Sequence, residues 1–172
     1  ILLYGIILST LSSIILTACV NQNTITQNKL TPVTNPCAKI SLLIKAYDNG
    51  FEQIKMTKVQ ARATNTWKAK HNIVGENCHI WTLGSSKATY SCNITADNKE
   101  TAEGYYQQAQ QTIQQCLGET WKMSEQQRKA DSGRKSTFTS INEKASLSTH
   151  IVPRDGLFST EWTIYYYIGN PN

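Results

Sequence analysis

The chain has 172 residues, is 40% hydrophobic and 17% charged, and carries a formal net charge of +5. That size favours one compact domain and argues against a multidomain enzyme. Ten of the 29 Leu and Ile residues fall within the first eighteen positions, which leaves a lean core carried by aromatic, Ala and Cys side chains. Residues 1–18 contain twelve apolar side chains and no charge. As a helix this segment would span about 27 Å, short of the roughly 30 Å hydrocarbon core. Ser9, Thr10, Ser12, Ser13 and Thr17 interrupt it, so it suits the apolar region of a signal peptide better than a permanent span.

The run ends in Leu16-Thr17-Ala18-Cys19, which resembles the lipobox of bacterial lipoproteins. The resemblance covers the leader alone. It implies that Cys19 becomes the lipidated N-terminus after cleavage, and that three acyl chains anchor it far more firmly than a single chain would. Val20 stands where Asp would mark retention at the inner membrane, so the implied address is the outer membrane, facing the periplasm. The chain starts at Ile1 with neither Met nor a basic stretch, and the leader is expected to lack its beginning. After Cys19, the segment to Asn35 is polar, has one charge at Lys29 and shows no periodicity. It reads as a tether of roughly 20 to 25 Å reach. Residues 36–172 are expected to form one α+β domain.

Asn35-Pro36 starts a helix, Asn as a cap and Pro at the first position, with Cys37, Ile40, Leu43, Ile44 and Tyr47 at helical spacing and Asp48-Asn49-Gly50 as its end. The period then changes to two. Val59, Ala61, Ala63, Trp67 and Ala69 alternate with Lys58, Arg62, Lys68 and Lys70, which predicts one strand with a core face and a basic face. A hairpin follows, Cys78–Leu83 and Ala88–Thr95. Centred on Ser85, it sets Cys78 opposite Cys92 and Ile80 opposite Tyr90. A second helix runs to Leu117 before Gly118, started by Asp97 with Glu100 as a capping-box-like pair. Ala102, Tyr105, Tyr106, Ala109, Ile113, Cys116 and Leu117 form its inward stripe, and its glutamines, Gln110 and Gln114 among them, a neutral solvated face. Residues 119–134 read as an exposed segment with at most one helical turn. Three strands are expected after it, holding Phe138 and Ile141, then Leu147, Thr149 and Ile151, then Trp162, Ile164, Tyr166 and Ile168, with 153–158 as the last connection.

With Cys19 assigned to lipid, Cys37, Cys78, Cys92 and Cys116 remain, an even number in an exported chain, and two disulfides are expected. The hairpin register allows Cys78–Cys92, which leaves Cys37 with Cys116; a scheme joining each helix to a strand competes. The spacings match no zinc site, and no metal or cofactor is expected. The predicted fold is a small disulfide-stapled α+β domain built from duplicated αβββ units, its antiparallel sheet covered on one face by both helices.

Chemistry-bearing residues are sparse. His71, His79 and His150 sit at no ligand spacing and are expected to be partly exposed, His150 on the solvent-leaning parity of its strand; the acidic residues are scattered, and nucleophile-elbow and phosphate-loop motifs do not occur. Two surface features remain. Lys58, Arg62, Lys68 and Lys70, with Lys122, Arg128, Lys129, Arg134 and Lys135, would present a basic surface to an anionic partner. Burying Trp162 and Tyr166 would expose Tyr165 and Tyr167, rigid rings suited to recognition. The expectation is therefore a non-enzymatic, membrane-anchored binding protein: an inhibitor or immunity protein, or an accessory subunit of an envelope or secretion machine. Its partner would be a protein or an anionic envelope component, and the compartment disfavours nucleic acid. Two alternatives stand beside it. One is an envelope enzyme using His79 or His150 with Glu103, Glu119 or Glu161. The other is a binder of a small anionic or hydrophobic ligand between helices and sheet.

Overall fold

The computed structural model describes residues 33–169 except 76, 85, 86 and 158. The proposed leader, Cys19 and most of the proposed tether lie outside the described residues, as does the centre of the Cys78–Leu83 hairpin. Two helices, α1 (Pro36–Tyr47) and α2 (Lys99–Leu117), each precede four strands. These are β1 (Lys55–Val59), β2 (Asn65–Ala69), β3 (Asn77–Thr82) and β4 (Thr89–Ala96), then β5 (Trp121–Gln127), β6 (Arg134–Ser140), β7 (Ser146–Asp155) and β8 (Thr160–Gly169). A short 3-10 turn, Glu52–Ile54, leads into β1. All eight strands join one antiparallel sheet in the order β1-β2-β3-β4-β8-β7-β6-β5. The mixed α+β class and the antiparallel sheet are as expected. Three strands per half become four.

Both added strands have a physical reason. The alternating stretch 58–70 is a hairpin and not one strand: it breaks at 60–64, where Ala61 and Ala63 are exposed and alternation continues without burial behind it. β5 has both faces wet, so its sequence carries no apolar alternation to read. Three ends also differ. Asn98, not Asp97, caps α2, its Oδ1 accepting the Thr101 amide at 2.8 Å. Asn35 makes no side-chain cap, and its carbonyl accepts the Lys39 amide instead. Ile141 lies 99% exposed in the turn after β6. Pro153 belongs to β7, where β6 no longer flanks it beyond Ile151, so its missing N–H breaks no ladder.

Register assigns every strand residue to a face. Cys78, Ile80, Tyr90, Cys92, Phe138, Leu147, Ile151, Ile164, Tyr166 and Ile168 share the side covered by Ile40, Leu43 and Ile44 of α1 and Tyr106, Ala109 and Ile113 of α2, and these form one core. Cys37–Cys116 ties α1 to α2, and Cys78–Cys92 crosses the β3–β4 hairpin. The hairpin register is the expected one, Cys78 opposite Cys92 and Ile80 opposite Tyr90.

Candidate functional site

The face of the sheet away from the helices displays the parity of residues that the core leaves out. Along its centre lie Thr89, Ser91, Asn93 and Thr95 of β4, Thr163, Tyr165 and Tyr167 of β8, and Ser148 and His150 of β7, flanked by His79 and Trp81 of β3. Tyr165 and Tyr167 stack with ring centroids 5.8 Å apart and planes 8° apart, and both are half-buried. Burial, with Tyr165 beside it, pushes the Tyr167 hydroxyl up to about 12, so it stays protonated and available as a donor. Lys68, Lys122, Lys135 and Arg154 have the same parity, with the carboxylate of Glu161 opposite Arg154. Together they make a hydroxyl- and ring-bearing floor with a positive surround.

His150 is set into this floor and only 8% exposed. Its strand parity points it toward solvent, as the sequence predicts, but Tyr167 packs edge-on at 4.9 Å and the β5–β6 loop folds over it. From that loop Arg128 places Nη1 2.8 Å from His150 Nδ1 and holds both Asp131 carboxylate oxygens through Nε at 3.0 Å. Arginine has only donors, so Nδ1 accepts and the ring proton resides on Nε2, facing Ser148 Oγ at 3.1 Å. Burial, then the charges of Arg128 and Lys135, lower the His150 pKa to about 4, with Asp131 partly opposing them. The imidazole is thus neutral at ordinary pH. Gly133 closes the loop where a Cβ would lie 2.1 Å from the Ile151 carbonyl oxygen, so only glycine lets the loop sit this close to β7.

On the helix side, a polar network occupies the space between α2 and β5–β6. Tyr106 Oη meets Ser136 Oγ at 2.7 Å, Gln110 Nε2 donates to Glu125 Oε2 at 2.6 Å, and Arg134 bridges Glu103 and Glu125. Burial alone would raise the Glu125 carboxyl, but hydrogen bonds from Gln110 and Ser136 and the Arg134 charge outweigh it and hold the pKa below the usual range. Beyond the network, a cleft of about 320 Å³ opens between the last turn of α2 and β5–β6, lined by Gln114, Leu117, Trp121, Met123 and Phe138 with Glu119 among its walls.

The anticipated residues are only partly brought together. Tyr165, Tyr167 and Lys68 share the open face. Lys58 lies on the other face, its Nζ 5.8 Å from the Trp67 ring, Arg62 is in the β1–β2 loop and Lys70 follows β2, so the expected basic stripe is split between faces by the hairpin. Arg128 is tied to Asp131 and His150 and is no free surface cation, whereas Lys129 beside it is exposed. Of the carboxylates considered as histidine partners, Glu103 pairs with Arg134 on the opposite face and Glu161 opposes Arg154; the carboxylate acting on His150 is Asp131. Tyr90 and Tyr106 fill the space beneath the helices where a small ligand was considered. Sequence reasoning missed Gln110, Glu125 and Arg134 as a unit, and the Trp121 cleft, because no pattern marked β5. No protein-family model, curated protein or solved structure matches the chain.

Proposed function

We propose that this is a lipid-anchored, non-enzymatic binding protein of the bacterial envelope, held through Cys19 at the outer membrane and facing the periplasm. The open sheet face is its binding surface, and its partner is an anionic protein or other anionic component of the envelope, as for an inhibitor, an immunity protein or an accessory subunit. The observation that carries this reading is the Tyr165–Tyr167 stack on the sheet face away from the helices, which no helix covers among the described residues, with Lys68, Lys122, Lys135 and Arg154 around it. Rigid rings supply contact area at low entropic cost, and the cations steer an anionic partner toward them. The neutral, hydrogen-bonded state of His150 suits a structural part of that surface better than a proton carrier.

We also infer that each helix with its four following strands is one unit of a duplication. In support, the strand order mirrors about the β4–β8 pair, each half runs helix then meander, and each helix contributes one cysteine to the Cys37–Cys116 bridge.

A photocrosslinking residue at position 165, compared with one at exposed Lys45 on α1, tests the surface in intact envelopes. A discrete adduct at 165, suppressed by high salt and lacking at 45, is expected; equal labelling from both positions contradicts the reading. Cys19→Ala is expected to move the protein from the membrane to the soluble fraction and to abolish incorporation of a palmitate analogue.

A further inference from the structure

The sheet has two edges, and they are built differently. β1 is five residues long, its pairing with β2 is broken by a register shift between Lys55 and Lys58, and both lysines lie over the Trp67 ring. Short length, a bulge and lysines are devices that keep an edge from pairing with another chain. β5 carries one lysine, Lys122, but is neither as short nor bulged: seven residues pair with β6 in unbroken register from Trp121–Ser140 to Gln127–Arg134.

The direction of its free backbone groups follows from the ladder. The Arg128 amide donates to the Gly133 carbonyl at 2.9 Å, which makes 128/133 a hydrogen-bonded pair. Alternation then turns the N–H and C=O of Met123, Glu125 and Gln127 away from β6, toward the open edge. Among the described residues no strand lies beyond β5. Its side chains alternate in chemistry across the same edge. On the helix side Trp121 and Met123 border the 320 Å³ cleft, with Met123 42% exposed; on the open side stands Lys122, and nearer the other end of the strand Lys135 of β6 lies behind Gln126.

We propose that β5 is a strand-acceptor site for an extended segment of a partner protein, one that alternates apolar with acidic residues. The partner's apolar side chains fall on the helix side, one of them in the cleft bounded by Trp121, Met123, Phe138 and Leu117. Its acidic side chains fall on the open side, one against Lys122 and the next ones toward the end of β5 that Lys135 backs from β6. Main-chain hydrogen bonds to Met123, Glu125 and Gln127 supply affinity, and the alternation supplies specificity. The carboxylates of Glu119 and Glu125 on the helix side repel an acidic residue there, which fixes which face of the segment is apolar. This site is distinct from the open-face surface and rests on the binding-protein reading only in requiring that the chain have a partner. A failure at Tyr165 and Tyr167 leaves it standing.

The probes are a seven-residue synthetic peptide alternating Glu and Leu, its backbone N-methylated form, and the matching Lys–Leu peptide, each titrated into the disulfide-intact protein and followed by backbone amide NMR. Saturable shifts at Met123, Glu125 and Gln127 are expected with the Glu–Leu peptide. Weakening by roughly tenfold or more is expected with the Lys–Leu peptide, and complete loss with the N-methylated one, and Lys122→Glu should reverse the charge preference. Absence of saturable shifts on β5, equal binding by the N-methylated peptide, or shifts confined to Tyr165 and Tyr167 would overturn the proposal. So would concentration-dependent broadening of β5 without peptide, which would identify a second copy of the chain as the occupant.

Discussion

The two halves of the sheet share a layout and differ in filling. Between α1 and β1–β3 the space is packed with Tyr47, Phe51, Ile54, Ile73 and Val74, all buried, and the hairpin beneath is cross-linked by Cys78–Cys92. Between α2 and β5–β6 the same space holds the Glu103–Arg134–Glu125 network and an open cleft, with no disulfide within that half. The reverse face is likewise richer in the second half, which carries the tyrosine stack and the Arg128–His150 contact. Both halves share one core, to which the second contributes Tyr106, Ile113, Phe138, Leu147, Ile151, Ile164 and Ile168; the difference lies in what fills the space outside it.

Breaking the link between the halves has the largest expected effect. Cys37→Ala with Cys116→Ala opens a loop of 79 residues and should cost about 4.5 kcal/mol by loop-closure entropy, against about 3 kcal/mol for removing Cys78–Cys92, whose separation is 14. Denaturant unfolding of the two double variants gives both numbers; the reverse ranking would mean that the first half does not depend on the second. Truncation in the packed half should come next. Phe51→Ala removes a side chain with no exposure and should cost about 3–5 kcal/mol, whereas Met123→Ala at the cleft should cost under about 1 kcal/mol. Equal losses would refute the asymmetry.

The third test is pH. His150 titrates near 4 in the folded chain and near 6.5 unfolded, so below 6.5 the unfolded state binds more protons than the native one. Stability should therefore fall by up to about 3 kcal/mol as pH drops from 6.5 to about 4, and His150→Gln should lack that component. Glu125 pulls the same way at lower pH, because its depressed pKa gives stability that is lost as pH falls through the folded value. The smallest effect is a gain. Thr149 Oγ1 is fully buried without a hydrogen-bond partner among the described residues, and Thr149→Val should raise stability by about 1 kcal/mol; a loss would indicate that the hydroxyl has a partner after all.

Legibility in the sequence followed burial contrast. The stripe of α2 and the parity of the β3–β4 hairpin could be read because apolar residues sit against polar ones at a fixed period, and that parity brought Cys78 and Cys92 together. The β1–β2 break was illegible because Ala61 and Ala63 continue the alternation through a loop without Gly or Pro. β5 was illegible because neither of its faces is buried. His150 was assigned to the correct face but not to the correct environment, since the residues that bury it, Arg128 and Tyr167, are 22 and 17 positions away and meet it only through the β5–β6 loop and the β7–β8 register.

The central claim, that the open face is occupied in the envelope, is tested most directly by hydroxyl-radical footprinting of the tyrosines in intact cells against the purified protein. Tyr105, half-buried on α2 on the other side of the sheet, serves as the internal reference. The account predicts that Tyr165 and Tyr167 are protected in cells while Tyr105 reacts equally in both. Unchanged reactivity of Tyr165 and Tyr167, or protection of Tyr105 in their place, would contradict it.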